Sequence, residues 1–157
     1  MIQGELCTRA PLGRLGPQEF SVEKLLAERP EYFVFNGAVG ALAKETTLKA
    51  KAGETVRIYL GVGGPNFVSS FHVIGEIFDR VYDQAALTVR PQTGIQTTLV
   101  PAGGAAVVEF KLDVPGRYIP VDHALSRFER GLAAVLEVAG PEDPGIFKAD
   151  HVDAAGP

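Results

Sequence analysis

An all-β sandwich is the fold this sequence predicts, and three observations carry it. From Tyr32 onward, short runs rich in β-branched and aromatic residues recur at regular spacing. Turn signals separate them, at A-G-E (52–54), G-G-P-N (63–66), P-A-G-G (101–104) and V-P-G (114–116). Helical periodicity is confined to two brief stretches. Seven or eight strands so punctuated imply two packed sheets with Greek-key connections.

In chain order, Pro11, Gly13, Gly16 and Pro17 break regular structure near the start. V-E-K-L-L-A-E (22–28) reads as a short amphipathic helix, with Ser21 as its N-cap and Pro30 as its stop. Residues 1–31 are therefore expected to be a linker arm outside the core. The predicted strands are Y-F-V-F-N (32–36), T-L-K-A (47–50), T-V-R-I-Y-L (55–60), V-S-S-F-H-V-I (68–74), Q-T-T-L-V (96–100), A-A-V-V-E-F (105–110), R-Y-I-P-V (117–121) and L-A-A-V-L-E-V (132–138). They delimit a domain over 32–140. A-L-S-R-F-E-R (124–130) supplies one short helix between the last two strands, and 141–157 reads as a polar tail.

The 157 residues are enough for one ordinary domain, and 46% hydrophobic with 22% charged content excludes a disordered chain or a coiled coil. A net charge of −4 without any basic stripe argues against nucleic acid as a partner. No apolar run approaches the ~18 residues of a membrane span, and the first residues lack the pattern of a signal peptide.

Chemistry-bearing residues are few. Cys7, the one cysteine, has no histidine near it, and Met1 is the only methionine, so a blue-copper centre cannot be assembled from this chain. His151 falls in the tail. His72 lies inside an apolar strand with no His, Cys or Asp at ligand spacing, and His123 stands at a strand end before the short helix. Imidazole is a natural ligand for copper or zinc. Spacing alone nonetheless favours a structural reading of both, with ring nitrogens satisfied by the backbone. V-G-G-P-N lacks the G-K-[ST] and the following helix of a phosphate loop.

Longer motifs go further. F-N-G-A-V-G-A-L, K-A-G-E-T-V-R-I-Y, G-G-P-N-F-V-S-S-F-H-V-I-G-E-I-F-D, T-T-L-V-P-A-G-G-A-A-V-V-E-F and Y-I-P-V-D-H occur in order. Together they resemble the C-terminal cupredoxin domain of copper-containing nitrite reductases, nearest the Neisseria-type branch. The resemblance implies a cupredoxin-like sandwich in a trimeric enzyme that reduces nitrite to nitric oxide. It implies that His123, in V-D-H, is the one type 2 copper ligand this chain supplies at a subunit interface. It further implies that His72 relays a proton to nitrite, that Ile74 crowds the substrate, and that Gln96 and Thr97 orient His72, Thr97 by a hydrogen bond to a ring nitrogen.

Type 1 copper and the remaining type 2 ligands belong in that family to an N-terminal cupredoxin domain with no counterpart here. A separate partner carrying that domain is therefore expected. Periplasmic or cell-surface placement is implied by the same resemblance. The segment from His123 to Gly131 is one residue shorter than the family spacing, which could re-aim His123. The alternative is a non-catalytic cupredoxin-fold module, for interaction or assembly, that binds no copper of its own.

Overall fold

Alternation along the strands builds the core. In the central strand Thr55–Gly64, Ile58, Leu60 and Val62 are buried while Arg57 and Tyr59 face outward, the period-two pattern of a half-buried sheet. The computed structural model of the chain describes residues 1–142 and 144–146. His151 and most of the expected tail lie outside them.

Among the described residues, ten strands form two five-stranded sheets. The first sheet runs in the order β2 (Tyr32–Phe35), β1 (Ile2–Leu6), β4 (Thr55–Gly64), β8 (Ala105–Lys111), β6 (Arg80–Tyr82). The second runs β3 (Leu48–Lys51), β10 (Leu136–Ala139), β9 (Gly116–Asp122), β5 (Ser69–Ile74), β7 (Thr97–Val100). Phe71 of β5 and Phe110 of β8 reach the interior from opposite sheets. Phe78 lies between them, its ring centroid 5.9 Å from Phe71 and 5.8 Å from Phe110. Each is fully buried.

All eight predicted strands are present. The last is shorter than expected, because residues 132–135 touch β9 only through a bridge between Val121 and Ala133. Helix α1 (Val22–Leu26) begins where Ser21 accepts a hydrogen bond from the Lys24 amide at 3.3 Å. The helical stretch before the last strand is a single 3₁₀ turn, Leu125–Arg127.

One expectation is corrected. Residues 2–6 are no arm: as β1 they lie between β2 and β4, antiparallel to the first and parallel to the second. The inward-facing residue of I-Q-G-E-L is the fully buried Gln3, so the stretch carries no apolar alternation to announce a strand. β6 was equally invisible, three residues being too few to show a period.

The outer face of the first sheet holds a buried acid. Glu109 on β8 is in register with Arg57 on β4 and Arg80 on β6, is only 3% exposed and pairs with both. Burial alone would push its carboxyl up, but hydrogen bonds and charge from the two arginines outweigh that and hold it below the usual range. Its share of stability is complete above about pH 4.3, the ordinary value for a free glutamate, and is lost as pH falls below it. Glu109→Gln is expected to flatten this acid limb in a plot of Tm against pH; an unchanged limb would remove Glu109 from it.

Candidate active site

β5 carries Phe71 and Val73 into the core, so His72 and Ile74 share its other face. His72 is opposite Thr97 on β7 and Val121 on β9, and Ile74 is opposite Ile119. His72 is nonetheless only 6% exposed, whereas Ile74 is 41% exposed.

The His72 ring is held from one side. Its Nδ1 lies 2.6 Å from the backbone oxygen of Gln96, the residue just before β7. A carbonyl can only accept, so Nδ1 carries the proton and donates it. The neutral ring then presents Nε2 as a free acceptor, and the charged ring presents Nε2–H as a donor. The hydrogen bond expected from Thr97 thus falls to the Gln96 carbonyl. A main-chain acceptor is indifferent to side-chain identity, which is why sequence could not point to it. Thr97 stays beside His72 in register, its side chain exposed.

His123 follows β9 directly. Its amide donates to the Ser70 carbonyl at 2.8 Å, which ties it to β5. The side chain is exposed, and neither ring nitrogen has a hydrogen-bond partner among the described residues. The His72 and His123 ring centroids are 5.5 Å apart at an interplanar angle of 51°. Two residues far apart in sequence are thereby brought together at one end of the second sheet.

Asp122 and Arg127, which sequence reasoning did not single out, pair beside His123. The Asp122 carboxylate is fully buried and accepts from the amides of Ser70 and Ala124, both at 3.1 Å, from Gln3 Nε2 at 3.2 Å and from the Arg127 guanidinium. A charged pair inside V-D-H-A-L-S-R was the available signal, legible only once the turn at 125–127 closes the spacing.

A cleft of about 620 Å³ opens on the other side of His72, lined among others by Glu76, Asp79, Lys111 and Asp113. Burial first, then the charges of Asp113 and Asp79, push the Glu76 carboxyl up, against a backbone hydrogen bond from Ile77. A larger cavity, about 790 Å³, lies at Cys7, Phe20 and Val39 and contains none of the predicted site residues. Cys7 is buried beside it, and that burial pushes its thiol up, away from the reactive thiolate. Among the described residues no three His, Cys, Asp or Glu side chains gather as a metal site.

No family model matches the chain. It is 52% identical over 156 residues to the copper-containing nitrite reductase of Neisseria meningitidis serogroup A / serotype 4A, an alignment covering 99% of this chain and 40% of that protein. A solved copper nitrite reductase from Nitrosomonas europaea superposes with a TM-score of 0.73 at 32% identity, over 91% of this chain and 49% of that one. A multicopper oxidase at 20% identity, TM-score 0.68, shares the fold over 88% of this chain and 42% of its own. The architecture is thus a cupredoxin-like sandwich, as expected. The chain spans about two-fifths of the length of the curated relatives it matches.

Proposed function

The chain is homologous over nearly its whole length to part of the copper-containing nitrite reductases, and from that premise we propose that it forms one wall of a site reducing nitrite to nitric oxide. The observation that carries the reading is the pairing of an anchored, nearly buried imidazole with an exposed one 5.5 Å away.

In this reading His123 is the copper ligand. The donor chemistry fits: an uncommitted imidazole is a good copper ligand, and a strand end is a rigid mount. One imidazole is no site, so the other ligands come from a second domain or polypeptide, as expected of a partner carrying type 1 copper, and the assembly is a trimer. Copper bound there would polarise the substrate oxyanion and deliver the electron.

Turning nitrite into nitric oxide and water takes one electron and two protons. His72 moves a proton at Nε2, because the Gln96 carbonyl keeps Nδ1 protonated and the ring turned. Ile74, exposed on the same strand face, restricts how nitrite settles, and Thr97 flanks the ring from β7. Among the described residues no helix is long and apolar enough to cross a membrane. Placement in the periplasm or at the cell surface belongs to the same proposal.

The test is reconstitution with a cupredoxin domain bearing the missing ligands, followed by copper content, electron paramagnetic resonance and nitrite-dependent nitric oxide release. Type 2 copper appearing only in the mixture supports the reading; stoichiometric type 2 copper in the chain alone contradicts it. In the active mixture, His72→Ala is expected to keep copper but slow turnover by about 100-fold, the lower end for a lost general acid. The loss should steepen at higher pH, where solvent protons are scarcer; an unchanged rate would exclude His72 from proton transfer. A second reading is the non-catalytic cupredoxin-fold module. It predicts that no mixture gains type 2 copper.

A further inference from the structure

We propose that Asp122 and Arg127 are positioning residues, a clamp that fixes where the His123 imidazole stands. The inference deepens the reading of His123 as a metal ligand and takes its purpose from that reading. Its geometry stands on contacts in this chain alone.

The far end of the segment after His123 is tied to the first sheet by Arg130, which donates to the Pro30 carbonyl and accepts the Phe33 amide; the end next to His123 is held differently. Its only regular structure is the 3₁₀ turn Leu125–Arg127, and Leu125, more than half exposed, anchors it to no core. The polar contacts are correspondingly dense. Asp122 Oδ1 takes the amides of Ser70 and Ala124, while the Ser70 carbonyl takes the amide of His123. His123 is bracketed on both sides by bonds to the same short patch of β5 and to its own predecessor.

Asp122 Oδ2 takes Gln3 Nε2 from β1 and the guanidinium of Arg127. Arg127 also donates to the Val68 carbonyl at 2.6 Å, and its guanidinium lies 5.1 Å and 5.0 Å from the ring centroids of Phe33 and Phe67. A histidine borne by the second sheet is thus tied to β1 and β2 of the first.

All four partners of Asp122 are donors, and this decides the chemistry. An asparagine of the same shape must turn an NH₂ toward donors, either toward Gln3 and Arg127 or toward the two amides. Turned toward the two amides, that group breaks the bracket at His123; turned the other way, it faces the Arg127 guanidinium, a donor only, even when Gln3 flips its unpaired Oε1 to accept it. Lysine at 127 keeps the charge and enough protons for both Val68 and Asp122; glutamine has two protons but neither the charge nor the length.

The experiment is nuclear magnetic resonance on the metal-free full chain. Asp122→Asn and Arg127→Gln are expected to speed amide exchange at His123 and Ala124 about tenfold or more. They should also broaden or split the His123 ring signals, leaving the amides of β4 and β8 and the His72 Nδ1–H bond as in the parent. Arg127→Lys should restore most of the parent behaviour. His123 signals unchanged in a folded variant would overturn the proposal, as would exchange that quickens equally everywhere, which marks a fold staple only. Should Asp122→Asn not fold, the contrast between glutamine and lysine at 127 decides alone. No metal enters these readouts, so the clamp can fail while the ligand assignment stands, and the reverse.

Discussion

His123→Ala is expected to empty the type 2 copper position of the reconstituted assembly and to abolish its nitrite reduction. Loss of a residue that merely supports a metal ligand weakens metal binding by about 10- to 100-fold, and on the proposed reading removing a ligand itself goes beyond that. The fold should barely register the change. His123 is exposed, its ring makes no hydrogen bond among the described residues, and its amide bond to Ser70 survives in alanine. Substitutions of that kind shift stability by about 0.5 kcal/mol or less. Copper content and the resonance spectrum of the mixture, read beside the melting curve of the chain, separate the two effects. Full copper with full activity would end the assignment of His123 as ligand.

Phe78→Ala should have the largest effect on stability, about 3–5 kcal/mol for a fully buried phenylalanine. That is a large share of the roughly 5–15 kcal/mol that keeps a domain folded. The ring touches Phe71 of one sheet and Phe110 of the other, so neither sheet can close the void without disturbing its partner. Urea unfolding gives the number; a loss under about 1 kcal/mol would mean the interior refills, contrary to this packing. The backbone of Phe78 also exchanges hydrogen bonds with Ile95, at 2.8 Å and 3.1 Å, and the next residue is Gln96. The carbonyl that turns His72 is therefore fastened to this part of the core, and a folded variant should lose turnover although no site residue has changed.

What the sequence could disclose follows from where the information resides. Strands such as 55–60 and 105–110 announce themselves because side chains alternate between oil and water. The oddity of His72, an imidazole in an apolar run, is visible for the same reason. β1 hides because its inward residue is Gln3, a polar side chain whose Nε2 donates to Asp122. The anchor of His72 is a main-chain oxygen, and the clamp around His123 joins Asp122 to Arg127 across a turn whose shape no periodicity specifies. Motif resemblance supplied the roles proposed for His72 and His123; geometry supplied what holds them.

The pairing of β3 has a consequence for how the chain comes together. β3 lies at the edge of its sheet, and its one neighbour is β10, in register from Leu48 with Leu136 to Lys51 with Ala139. Strands formed early in synthesis must wait for almost the last described residues before that ladder can close. Non-local pairing of this kind slows folding, because loop entropy is lost before contacts repay it. The nascent chain therefore keeps an open strand until synthesis passes residue 139, and the second sheet, which bears His72 and ends beside His123, is completed last.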